Sequence, residues 1–182
     1  MAAPLIGMVG YAQAGKDTFA GYLGYHRIAF ADKLKQMALD VNPVMIPAPI
    51  PEWSNEYLSD VVEAGGWEWA KAEVQGVREF LQNLGVAVRK IDPDFWVKAA
   101  FLEYTPGVAT VFTDVRFPNE IEAIRAAGGI IVRIDRHGNN PVNDHISEYA
   151  WQETAPDEQF YFEDGAFHHM RIAAESFAKR LA

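Results

Sequence analysis

The chain has 182 residues, 49% of them apolar and 23% charged, with no cysteine and a formal net charge of -9. That composition excludes a disordered chain, a disulfide or zinc-thiolate scaffold and a cysteine nucleophile, and a reducing, cytoplasmic setting is expected. The acidic balance argues against a nucleic-acid backbone as partner, and no apolar run reaches the ~18 residues of a membrane span, so neither nucleic acid nor membrane is expected.

Pro4 to Gly10 is a nearly continuous apolar run ending in glycine, the pattern of a strand buried on both faces of a parallel sheet. Thr18, Phe19, Tyr22 and Leu23 then recur at helical spacing until Gly24. Arg27 to Phe30 reads as a second short strand, and Asp32 to Val41 as a helix ended by Asn42-Pro43. Between Pro43 and Gly76 stand Pro47, Pro49, Pro51, the adjacent Gly65 and Gly66, and Trp53, Trp67 and Trp69. They predict an irregular insertion over 43–76, of the kind that carries binding function.

Val77 to Lys90 and Asp94 to Tyr104 read as helices, the second opened by Asp92-Pro93. Val108 to Asp114 predicts a buried strand ending in a carboxylate, Asn119 to Ala127 a helix and Ile130 to Ile134 a further strand. Residues 136–157 turn polar, a candidate lid, before a short strand Phe160 to Phe162 and a terminal helix Ala166 to Leu181. Alternating strands and helices imply an α/β fold around a parallel sheet, organised as one domain over 1–182.

Gly10-Tyr11-Ala12-Gln13-Ala14-Gly15-Lys16-Asp17-Thr18 nearly matches G-x-x-x-x-G-K-[ST], and it lies between the first strand and the first helix, where that pattern must lie. Glycines let such a loop curl so that its amides point at phosphate oxygens, and the helix N-terminus adds its positive end. ATP and Mg2+ are therefore expected, with Gly10, Ala14, Gly15, Lys16, Asp17 and Thr18 at the nucleotide. Asp17 stands where a hydroxyl residue normally helps hold the metal; it is either a hard-oxygen ligand or a favourable first-turn acid. A tight strand-to-helix turn with a surface lysine is the bland alternative for the whole loop.

Four further stretches narrow the chemistry. Phe30-Ala31-Asp32-Lys33-Leu34-Lys35, Arg78 with Leu81-Gln82-Asn83-Leu84-Gly85, Asp114-Val115-Arg116-Phe117-Pro118-Asn119-Glu120, and His145-Ile146-Ser147-Glu148 follow the loop in an order that resembles the bacteriophage deoxynucleoside monophosphate kinases. The resemblance runs from Gly10 to Glu148, and the Asp114-to-Glu120 run is its most distinctive part. It implies a three-layer P-loop NTPase fold with a central parallel sheet, an acceptor-binding insertion and a lid. It also implies transfer of the ATP γ-phosphate to a deoxynucleoside monophosphate. Arg89 and Trp96 look like the family's arginine and tryptophan, whereas Val86-Ala87 stands where the family more often has a Thr-Glu-like pair, which leaves base preference open.

Phosphoryl transfer needs in-line positioning and neutralised oxygens, so Lys16 and Arg116 are catalytic candidates, joined by Arg133 and Arg136, one of which lid closure would bring over the ATP phosphates; an exposed loop residue is the alternative for Arg136. Arg116 follows a sheet strand; it contacts a phosphate or forms a salt bridge to Glu120 or Glu122. Asp114 resembles the acid at the end of a Walker B strand and joins Asp17 as a metal candidate; a buried structural acid pairing Arg116 is the alternative. Arg78 opens a helix where acids are usual; it either meets an anionic partner, the monophosphate, or is a solvated surface arginine, and the family resemblance implies the first. Phe30, Asp32, Lys33, Lys35, Trp69, Gln82, Asn83, Arg89 and Arg116 complete the acceptor candidates; Asp32 is alternatively a helix N-cap, and Gln82 and Asn83 a wet helix face. His145, Ser147 and Glu148 lack a strained nucleophile turn and are assigned to lid hydrogen bonding. The rivals are another P-loop kinase of phosphomevalonate or dephospho-coenzyme A type, and a nucleotide-binding switch using the Trp53, Trp67 and Trp69 region as a partner surface. The oligomeric state, monomer or homodimer, is open.

Overall fold

An unbroken apolar pentapeptide makes the central strand: β1, Leu5–Val9, has every side chain buried. The computed structural model describes residues 3–47 and 54–181, so Trp53 lies outside the described residues. After β1 come α1 (Lys16–Leu23), β2 (His26–Ile28), α2 (Phe30–Val41), β3 (Val44–Ile46), β4 (Glu56–Tyr57), α3 (Leu58–Glu73), α4 (Val77–Ile91) and α5 (Phe95–Phe101). Then follow β5 (Thr110–Phe112), α6 (Pro118–Ala126), β6 (Ile130–Arg136), two 3-10 turns at Ile146–Glu148 and Ala150–Glu153, β7 (Glu158–Phe162) and α7 (Phe167–Leu181). No helix of the described residues is long and apolar enough to cross a membrane.

The chain divides into two compact units, Met1–Phe30 with Val97–Ala182, and Ala31–Trp96. The first holds a five-stranded sheet in the order β2-β5-β1-β6-β7, every neighbouring pair parallel. Alternation along β1 feeds two cores. Ile6 and Met8 pack with Phe19 and Leu23 of α1 and Met170 and Phe177 of α7. Leu5 and Val9 pack with Ala100 of α5 and Ile121 and Ile124 of α6. Helices therefore cover both faces, giving a three-layer α/β sandwich of the P-loop kind. Gly7 has a packing reason: a Cβ there would stand 2.7 Å from Ile124 Cδ1, so its absence lets α6 close onto β1. Because the chain winds from β1 first to one side and then to the other, the carboxyl end of β1 is the point where strand order reverses, the usual ligand crevice of such sheets.

The unit Ala31–Trp96 has its own core of Ala38, Leu58, Val61, Ala70, Val77 and Leu81. Here the expectation of an irregular stretch is corrected, because α3 occupies Leu58–Glu73 and β3 pairs antiparallel with β4. The Gly65-Gly66 pair kinks the helix rather than ending it: Gly66 takes φ 76 and ψ 172, and the buried Val61 and Ala70 on either side hold both halves to the core. Two boundaries also move. β5 is confined to Thr110–Phe112 because the Val108 amide is taken by Thr105 O in a turn. α2 starts at Phe30, so Asp32 lies in its first turn and is not the N-cap.

Candidate active site

The loop after β1 is shaped by two glycines that no other residue replaces. Gly10 has φ +137, and a Cβ on it would lie 2.3 Å from Ile134 O; Gly15, at φ +96, opens α1. Ala14 N–H donates to Tyr11 O at 3.3 Å and closes the curl. Lys16 follows at the helix start, 8% exposed, and its ammonium donates to Gly10 O at 2.8 Å and Tyr11 O at 2.7 Å. Burial lowers the Lys16 pKa to about 8; the positive charge of Arg116 adds to this, while Asp114, Asp17 and Glu148 oppose it. Asp17 faces outward and accepts from Arg27 Nε at 3.0 Å, and Thr18 is half-buried on α1.

The segment after β5 brings the second set of charges. Val115 N–H donates to Met8 O, which ties this segment to β1. Asp114 Oδ1 accepts the Phe30 amide at 2.8 Å. Glu120, 1% exposed, accepts from the amides of Arg116 at 2.7 Å and Phe117 at 3.1 Å, so its charge caps α6. The Arg116 guanidinium goes elsewhere: Nη1 donates to Glu148 Oε1 at 2.7 Å and lies 3.3 Å from Ser147 O. The salt-bridge partner is thus Glu148, not the nearby Glu120 or Glu122.

Residues beyond β6 reach back to the loop after β1. Asn139 Nδ2 donates to Ala12 O at 2.9 Å, Gln152 Nε2 donates to Tyr11 Oη at 2.9 Å, and Trp151 meets Tyr11 edge-on at 5.5 Å. Arg133 bonds Asp135 and lies over the Trp151 ring at 5.0 Å, while Arg136 pairs with Asp164 at 3.1 Å. Beside the loop opens a pocket of about 360 Å³ whose lining includes Tyr11, Arg136, Asn139, Gln159 and Tyr161. The sequence reading missed Asn139, Gln159 and Tyr161. The outward alternation of Gln159 and Tyr161 along β7 is the signal that marks the last two.

The remaining candidates belong to Ala31–Trp96. Asp32, Lys33 and Lys35 ride the first turns of α2, with Lys35 Nζ 5.9 Å from the centre of the Trp67 ring. Arg78, half-buried in the first turn of α4, has no hydrogen bond or ion pair with the described residues; Gln82 and Arg89 lie further along the same helix, and Asn83 is exposed on it. Trp69 is 44% exposed and packs against Gly65, where a Cβ would come 2.3 Å from its ring. Phe30 is instead a core residue of the sheet unit, stacked on Phe112 at 5.1 Å.

A strand, a glycine-rich curl with a buried lysine, and an arginine from the segment after the neighbouring strand make up the candidate centre, and the comparisons name the chain's relatives. A protein of Acanthamoeba polyphaga mimivirus, provisionally named a deoxynucleotide monophosphate kinase, is 26% identical over 162 residues, covering 79% of this chain and 80% of its own. The deoxynucleotide monophosphate kinase of Escherichia phage RB69 is 33% identical over 79 residues, 40% of this chain and 32% of its own. An uncharacterized protein of Ictalurid herpesvirus 1 is 38% identical over 84 residues, 42% of this chain and 37% of its own. The chain thus spans about a third of the length of the phage and herpesvirus relatives. The family model for deoxynucleotide monophosphate kinase matches residues 60–171, which take in Arg78, Arg116 and Glu148 and make the chain a member of the deoxynucleotide monophosphate kinase family.

Proposed function

We propose that the chain transfers the γ-phosphoryl group of ATP to a deoxynucleoside monophosphate, releasing ADP and the deoxynucleoside diphosphate. The observation that carries this reading is the juxtaposition of Lys16 in its glycine-rich curl with Arg116 from the segment after β5, close enough that the Arg116 charge helps lower the Lys16 pKa. In this reading the amides from Gly10 to Thr18 cradle the donor phosphates, and Lys16 exchanges its loop carbonyls for phosphate oxygens. Arg116 neutralises charge on the transferring group, and its planar fork suits that task better than a point charge. Arg133 and Arg136 serve the donor side, and the pocket beside Tyr161 and Asn139 takes the donor nucleoside.

Mg2+ fits the residues present. Among the described residues no three or more His, Asp or Glu side chains form a metal cage. A phosphate-bound Mg2+ needs only one or two carboxylates besides phosphate oxygens and water. Asp17 and Asp114, both near enough to influence Lys16, would supply them. When bound, the ion neutralises phosphate charge.

For the acceptor, Arg78 is the chief candidate for the monophosphate, with Asp32, Lys33, Lys35, Trp69, Gln82, Asn83 and Arg89 around the nucleoside. Preference for the deoxy sugar follows if apolar or aromatic atoms such as those of Trp69 pack on C2′, where an added hydroxyl would lose hydrogen bonds worth about 1 to 3 kcal/mol. The test is ADP release measured with dGMP, dTMP, dAMP and dCMP against GMP, UMP, AMP and CMP at fixed ATP and magnesium. Turnover of the deoxy series with kcat/KM about tenfold or more above the ribo series is expected. Equal use of both series sinks the sugar preference, and turnover of none of the eight sinks the proposed reaction.

A further inference from the structure

Arg116 is braced along one side only. Nη1 donates to Glu148 Oε1 at 2.7 Å and lies 3.3 Å from Ser147 O and 3.4 Å from Ser147 Oγ, whereas Nε and Nη2 bond no described residue. Nε–H and one Nη2–H of a guanidinium point the same way, as a fork that two oxygens of an oxyanion fit. Fixing Nη1 therefore fixes the plane and direction of that open fork.

The brace is itself held. Ser147 and Glu148 are 9% and 3% exposed, and they sit in one 3-10 turn, Ile146–Glu148. The His145 ring caps that turn, with Nδ1 accepting the Ser147 amide at 3.2 Å and meeting Ser147 Oγ at 2.9 Å. Glu148 Oε2 is buried with no hydrogen-bond partner among the described residues. A buried carboxylate that leaves one oxygen unsatisfied is costly and needs a compensating cation; here Arg116 is its ion-pair partner. A chain that only needed to anchor this turn would do so more cheaply with an apolar side chain.

We propose that Glu148 is the positioning residue for Arg116, holding the guanidinium so that its Nε/Nη2 fork meets the transferring phosphoryl group. This rests on the reading of Arg116 given under Proposed function. It differs from a structural role for Glu148 in one measurable respect: its effect on turnover passes through Arg116 and disappears when Arg116 is removed.

The experiment is a double-mutant cycle of Glu148→Gln and Arg116→Ala, read as single-turnover rates at excess enzyme and as steady-state KM for the monophosphate, with thermal unfolding alongside. Gln keeps the volume and one acceptor oxygen but loses the charge. In the wild-type background Glu148→Gln is expected to slow turnover about tenfold, with KM changed less than about twofold. In the Arg116→Ala background the same change is expected to cost less than about twofold. The same factor in both backgrounds, or a loss of thermal stability with turnover intact, overturns the proposal while leaving the role of Arg116 standing. An Arg116→Ala protein with undiminished turnover sinks the reading of Arg116 and this proposal together. Should Glu148→Gln fail to fold, Glu148→Asp, which withdraws the carboxylate by one methylene, enters the same cycle with the same expectations.

Discussion

The two compact units hold their charges in different ways. In the sheet unit, Arg116 and Asp114 meet partners far away in the chain, Glu148 and the Phe30 amide, while Lys16 bonds the carbonyls of its own curl. In Ala31–Trp96, the pairs Lys35–Asp32 and Lys71–Glu68 each span one turn of one helix, and Arg78 meets no described acid. Pairs one turn apart on a helix contribute only about 0.2 to 0.5 kcal/mol and leave long side chains free to move. Buried pairs between distant segments fix geometry before any ligand arrives. In the proposed reaction, phosphoryl transfer, which tolerates little misplacement, would gain from the first arrangement, and recognition of the acceptor from the second.

Breaking the fixed side should cost most. Lys16→Met removes the buried ammonium with little change in volume and is expected to lower kcat/KM about 10³-fold, with circular dichroism unchanged. Near-normal turnover in a folded protein would remove the loop from the chemistry. Arg116→Lys keeps the charge but not the fork, and a loss on the order of 10²-fold is expected in kcat. Preserved kcat with a lower melting temperature would make the Arg116–Glu148 pair a structural one.

The same contrast explains what was legible in the sequence. β1, its loop and α1 were readable because three local signals agree there: an apolar run, glycines at the turn and helical periodicity afterwards. The partner of Arg116 was not, because Glu120 and Glu122 stand close by in sequence whereas Glu148 is brought in by a loop 32 residues on. No period predicts such a pairing. α3 was missed for a related reason: Gly65-Gly66 is a local break signal, and what overrides it is burial of Val61 and Ala70 against other helices. Along β7 only Phe160 to Phe162 was read as strand, which hid the outward face that carries Gln159 into the pocket.

On the yielding side the effects should be smaller and confined to the acceptor. Arg78→Ala is expected to raise KM for the deoxynucleoside monophosphate about tenfold, the loss of one charge-assisted hydrogen bond, with KM for ATP unchanged. Equal effects on both substrates, or on neither, would remove Arg78 from the acceptor. Gly65→Ala puts a methyl 2.3 Å from the Trp69 ring, so the ring must move. Overpacking of about 1 to 3 kcal/mol is partly offset by about 0.5 to 1 kcal/mol of helix propensity, and denaturant unfolding should show a net loss of about 1 kcal/mol. A gain in stability would mean that Trp69 is held loosely.

The smallest effect concerns the proton on Lys16. Burial brings its pKa down from 10.5 to about 8, and a phosphate arriving beside the ammonium raises it again. Nucleotide binding above pH 8 must then draw a proton onto Lys16, and affinity for ADP is expected to fall about twofold between pH 7 and pH 8 and steeper beyond. The terminal phosphate of ADP has a pKa of about 6, so it is already ionised and adds no proton of its own in this range. Stability without nucleotide runs the opposite way. Below pH 8 the folded and unfolded chains both carry the proton, and the cost of the buried charge is constant. Between about 8 and 10.5 the folded chain holds fewer protons than the unfolded one, so Lys16 alone makes folding more favourable as pH rises through that window. Calorimetric titration of ADP at pH 8.5 in two buffers of different ionisation enthalpy reads the proton directly. Uptake approaching one proton, abolished in Lys16→Met, is the expected result, whereas identical heats in both buffers would mean that Lys16 stays protonated in its carbonyl nest and binds phosphate without changing its charge.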